Sequence, residues 1–102
     1  MSIFTLFGPT IKYSQREHPL PTLDLKRLLM QVHIRPGTTV NDHDRDLAFE
    51  SIEARRGSDG KISLQQIYEV LKKFKDQRAL TKIDFQTLMK AFEEYYAGHF
   101  SE

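Results

Sequence analysis

Ala48-Phe49-Glu50-Ser51-Ile52, then Gly57-Ser58-Asp59-Gly60-Lys61-Ile62-Ser63-Leu64, then Gln65-Gln66-Ile67-Tyr68-Glu69-Val70-Leu71 read as a helix, a glycine bend and a second helix. Glycine and aspartate favour turns because of the backbone conformations they tolerate, so a plain helix-to-helix turn accounts for Gly57 to Gly60 as well. Outside this segment the apolar spacing is helical. From Thr22, a reasonable N-cap, Leu25, Leu28, Leu29 and Val32 form one stripe that Pro36-Gly37 ends. Asn41 or Asp42 opens a second helix with Leu47, Ala48, Phe49 and Ile52 inward. Ser63 opens a third with Leu64, Ile67, Leu71 and Phe74 on one face. Thr81 caps a fourth, where Phe85, Leu88, Met89, Phe92 and Tyr96 repeat the spacing until Gly98 stops it. Four short amphipathic helices with short connections predict an all-α domain.

The central segment resembles the loop of an EF-hand stripped of its ligands. A calcium loop of twelve residues takes oxygen ligands at positions 1, 3, 5, 7 and 9, a glycine at 6 and a bidentate Glu at 12. With Gly60 at 6, position 1 is Arg55, 3 is Gly57, 5 is Asp59, 7 is Lys61, 8 is Ile62, 9 is Ser63 and 12 is Gln66. One carboxylate stands where roughly four are usual. Asp59 is set against Arg55, Arg56 and Lys61, so a divalent cation would enter a loop of net charge +2. Glu53 is a second candidate for position 1, in a loop two residues longer than standard. The expectation is a pseudo-EF-hand without metal. Lys82 to Met89 resembles another outgoing helix, with Ile83 at position 8 but Thr81 where glycine should be. Val40 is a third candidate for the loop's strand position, so the hands could instead be helices one-two and three-four, paired through Val40 and Ile83.

At 102 residues and 39% hydrophobic content, the chain has room for one small core. A net charge of +1 calls for neither nucleic acid nor an anionic membrane surface. The absence of cysteine removes disulfides, thiolate zinc sites and cysteine nucleophiles. The longest mostly apolar run, Ile3 to Phe7, falls far short of the ~20 residues of a membrane span, and neither a basic region nor a cleavage site marks it as a secretory signal. These features read as cytoplasmic.

Residues 1–22 differ in kind from residues 23–100, because Gly8-Pro9 and Pro19-Leu20-Pro21 break any helix. They form an extended N-terminal arm. Its Ile3, Phe4, Leu6, Phe7, Ile11 and Tyr13 carry more apolar surface than a disordered tail tolerates. Either they pack back on the domain as a strand, or they lie in the groove of a partner.

Gly37-Thr38-Thr39-Val40, Asp44-Arg45-Asp46-Leu47-Ala48-Phe49-Glu50-Ser51-Ile52 and Lys61-Ile62-Ser63-Leu64 together resemble the core of the tubulin polymerization-promoting protein family. That family has a Gly-x-x-Val, Asp-x-Asp-hydrophobic-x-Phe-x-x-Ile and basic-x-Ile-Thr-Phe progression. The resemblance covers about half the chain and needs a two-residue insertion between Ile52 and Ile62. Beyond Phe74 the chain lacks the family's glycine-rich segment. What it implies is an EF-hand-like helical protein on microtubules, in the cytoskeleton or in a cilium or flagellum.

Arg55, Arg56, Lys72, Lys73, Lys75 and Arg78 form a basic cluster able to steer an acidic protein partner such as a tubulin surface, although a solvated helix face accounts for it too. The same residues could meet DNA, but Glu93, Glu94 and the near-neutral balance argue against it. His18, His33, His43 and His99 lack metal-site spacing, and no cofactor or catalytic role is assigned to any residue. The expected function is therefore a non-enzymatic, calcium-independent protein-binding module. A divergent calcium-responsive sensor and a small helical DNA-binding protein are the alternatives.

Overall fold

The structure, a computed structural model, describes residues 11–102. Four helices build it, with a two-stranded antiparallel sheet at one end. Strand β1 (Glu17–Pro19) leads into helix α1 (Thr22–Ile34) and helix α2 (Asp42–Arg55). Strand β2 (Lys61–Ser63) leads into α3 (Leu64–Asp76) and α4 (Lys82–Phe100). The described residues thus form two consecutive strand–helix–helix units. Helix α1 packs on α2 and α4, and α3 packs on the same two, so exchanging the units maps each of these contacts onto another.

The strands pair Glu17 with Ser63, His18 with Ile62 and Pro19 with Lys61. This overturns the alternative pairing through Val40 and Ile83. Val40 is a buried residue just ahead of α2, and Ile83 lies exposed in the first turn of α4. Leu20, which follows β1, is fully buried, and its N–H donates to Gly60 O at 3.0 Å. Gln65 ties the preceding residues down: its Oε1 accepts from the backbone N–H of Lys12 and Tyr13, and its own N–H donates to Ser14 O. The described part of the arm, residues 11–21, therefore packs back on the domain, with β1 as its strand. Ile3, Phe4, Leu6 and Phe7 lie outside the described residues.

Three of the four helices among the described residues start at a side-chain cap. Asn41 and Thr81 accept from the N–H of Asp44 and Asp84, three residues on. Ser63 and Gln66 form a reciprocal capping box. The cap of α1 is Pro21 and not Thr22, whose hydroxyl instead donates to Glu53 at 2.8 Å. Helix α4 runs through Gly98 to Phe100, because Phe100 and His99 pack on Tyr95 and Tyr96 and hold the last turn. The apolar stripes meet in one core around Leu25, Leu29, Ile52, Ile67, Leu71 and Phe92. Each such side chain contributes roughly 1.5–3 kcal/mol of burial. In α2 the stripe is thinner than its spacing predicts: Ala48 and Ile52 are buried while Leu47 and Phe49 are half-exposed.

Candidate functional site

The glycine bend is closed by its own hydrogen bonds. Gly60 adopts φ = 80°, the left-handed conformation that glycine supplies without steric cost. Gly60 N–H donates to Gly57 O at 2.9 Å, and Gly57 N–H to Lys61 O at 3.0 Å. Asp59 Oδ1 accepts from Lys61 N–H at 3.1 Å. Gln66, at the place of a bidentate Glu, uses its side-chain oxygen to cap α3. A β-carbon at Gly57 would lie 2.8 Å from Asp59 Oδ1, so position 3 is filled from within the loop.

Arg56 occupies the remaining anionic space. Its guanidinium donates to Leu20 O at 2.6 Å, Thr22 Oγ1 at 3.0 Å and Glu53 Oε1 at 2.7 Å. Glu53, the second candidate for position 1, is thereby paired with a resident side-chain cation. Among the described residues, no group of three or more His, Asp or Glu side chains stands where it could hold a metal ion.

The residues read as partner contacts divide into two sets. Arg56 is spent inside the fold, as just described, which corrects its place in a surface cluster. Tyr13 is spent too: its ring packs at 5.3 Å on Tyr68 and its hydroxyl donates to Glu93 at 2.7 Å. Burial and that carboxylate push the Tyr13 phenol up to about 12. Lys72 pairs with Asp76 at 2.7 Å, which raises the lysine and lowers the aspartate from their ordinary values. Lys75 lies over the Phe85 ring at 5.1 Å. Arg78 follows α3 in a left-handed conformation at φ = 63°.

Arg55 and Lys73, like Arg78, have no ion-pair partner among the described residues, but these two share a groove. They stand on α2 and α3 beside Ala54, Val70 and Phe74, lining a groove of about 310 Å³ between the two helices. Arg55 and Lys73 are exposed, whereas Val70 and Phe74 are half-buried and packed against the core. The groove joins an apolar floor to an uncompensated cationic rim. Val70 escaped sequence reasoning because it lies beside the stripe assigned to the core. A second cleft, about 390 Å³ between α1 and α4, mixes Arg27 and Arg35 with Asp24 and Glu94 and so selects no charge.

Another cluster was invisible in the local pattern. Asp44 and Asp84, buried at the third position of α2 and α4, meet side chain to side chain. A repeat could have found them: Val40-Asn41-x-x-Asp44 returns as Leu80-Thr81-x-x-Asp84, with an apolar residue, a cap and a carboxylate at the same offsets. No family model matches the chain, and no curated protein or solved structure matches it either.

Proposed function

We propose that this chain is a non-enzymatic, calcium-independent, EF-hand-like module that binds an acidic protein surface in the groove between α2 and α3. The observation that carries the reading is the pair of cations, Arg55 and Lys73, that have no ion-pair partner among the described residues and stand over Ala54, Val70 and Phe74. Apolar anchors entering such a floor supply most of the affinity, while the cationic rim sets orientation and encounter rate. Calcium independence follows from a loop whose anionic groups already have donors, chiefly Arg56 on Glu53. A microtubule or another cytoskeletal or ciliary assembly is the partner that the sequence resemblance implies, and the acidic character of that surface complements the rim.

The test is co-pelleting with stabilised microtubules at low and physiological salt, with calcium or a chelator. The expected outcome is saturable pelleting that calcium does not change, weakened by salt and by joint Arg55→Glu and Lys73→Glu substitution. Failure to pellet at low salt rejects the microtubule as partner. Pelleting unaffected by the charge reversals rejects the groove. Calcium-dependent binding would favour the sensor instead.

A further inference from the structure

Two ionised carboxylates cannot hydrogen-bond to each other, because each offers only acceptors. Yet Asp44 and Asp84 lie within side-chain hydrogen-bonding contact, with 7% and 3% of their residue surface exposed. That contact needs one proton held between them. The cap geometry fixes both groups: Asn41 Oδ1 accepts from Asp44 N–H at 2.8 Å and Thr81 Oγ1 accepts from Asp84 N–H at 3.0 Å. Thr39, from the loop before α2, donates its hydroxyl to Asp84 Oδ1. Among the described residues, neither carboxylate has a lysine or arginine within ion-pair distance.

We propose that the Asp44–Asp84 pair is a proton-operated latch between the two strand–helix–helix units, in which one shared proton bridges α2 to α4 and its loss loosens that junction. The inference goes beyond partner binding and does not rest on it.

The surrounding groups set the sign. Burial, the hydrogen bond with Asp84 and the repulsion from its charge push the Asp44 carboxyl from 3.8 up to about 6. His43 of the same helix and the Asn41 backbone N–H pull in the opposite direction, as do the positive ends of α2 and α4. From α1, His33 places Nδ1 at 3.0 Å from Val40 O and Nε2 at 2.9 Å from Asp42, beside the same helix start. Arg45 also takes Asp42, at 3.3 Å, and Lys82 opens α4 next to the pair in sequence. The folded state holds a proton that the unfolded chain has released. Its stabilisation is therefore complete below about pH 4 and is lost as pH rises through about 6.

The test is urea unfolding of the full chain between pH 4.5 and 8, for wild type, Asp44→Asn and Asp84→Asn. An asparagine amide donates permanently where the carboxyl needs a proton. Asp44→Asn should lower the unfolding equilibrium constant at pH 7.5 by roughly tenfold, the equivalent of one pK unit, and remove the decline of stability between pH 5 and 7. The contacts His33–Asp42 and His18–Glu102 are common to wild type and variant, so the difference between the two is the deciding quantity. An Asp44→Asn chain that is less stable than wild type at pH 7.5, or that keeps the same pH profile, overturns the proposal. Should that variant fail to fold, carboxyl carbon NMR of the wild type decides: an Asp44 midpoint near 6 supports the latch, and one near 4 overturns it. If millimolar calcium or magnesium stabilises wild type at pH 7.5 but not Asp44→Asn, the pair is a cation site and the proton latch is rejected.

Discussion

Arg56 is 36 residues from Leu20 in the chain and 2.6 Å from its carbonyl oxygen. Composition and charge pattern present it as one more member of a basic run, and only the fold turns it inward. Its neighbour Arg55 stays outside, on the groove. Two adjacent arginines therefore take opposite roles because α2 ends at Arg55, and Arg56 caps it with φ = −61° and ψ = 141°. Replacing Arg56 by Leu would leave Glu53 and Leu20 O short of donors in a partly buried site. A loss of about 2 kcal/mol is expected, between the cost of an ordinary hydrogen bond and that of a fully buried ion pair. Chemical denaturation would measure it, with Arg55→Leu as the comparison, expected to change stability by no more than about 0.5 kcal/mol. Equal losses in the two variants would show that the guanidinium of Arg56 does no more than that of a surface arginine.

At the scale of elements, the helices were legible because amphipathic spacing and caps are local signals. Asn41, Ser63 and Thr81 stand where side-chain oxygens satisfy otherwise orphaned N–H groups, and each does so in the fold. Pairing was not legible: β1 is only three residues, Glu-His-Pro, and nothing in its own pattern selects β2 as a partner. The Asp44–Asp84 contact was hidden for a related reason. An acid in the first turn is explained locally by the helix dipole, and that sufficient explanation conceals a contact between residues forty apart. The capping box of α3 gives a prediction at this scale. Ser63 is both the end of β2 and the cap of α3, and it is 1% exposed. Ser63→Ala removes one cap acceptor, with Gln66 still able to accept from the backbone N–H of residue 63. It should cost about 1–2 kcal/mol, towards the upper part of the range for cap removal because water cannot easily replace the hydroxyl. Hydrogen exchange should quicken first at Gln66, whose N–H loses its acceptor. Unchanged exchange there would place the cost elsewhere.

In the whole molecule the two units share rather than duplicate their core. Leu20 just after β1, Ile62 from β2, Leu25 and Leu29 from α1, Ile52 from α2 and Phe92 from α4 join one buried cluster. Tyr96 ties the units most directly. It is fully buried near the end of α4, its hydroxyl donates to Ile62 O in β2 at 2.7 Å, and its ring meets His18 of β1 at 6.0 Å. Burial pushes its phenol well above the usual range, so the donor stays protonated throughout the ordinary pH range. Neither unit can bury its own apolar surface without the other, and the chain should unfold in a single cooperative transition. Urea curves followed by helical circular dichroism and by tyrosine fluorescence should then coincide. Tyr96→Phe keeps the ring but leaves a sheet carbonyl without its side-chain donor, and a cost of about 1–3 kcal/mol is expected. Because the hydroxyl connects α4 to the sheet shared by both units, that cost should move both probes together and leave the slope of the transition unchanged. A variant whose dichroism and fluorescence separate would show that the units are held together chiefly at Tyr96 rather than by the common core.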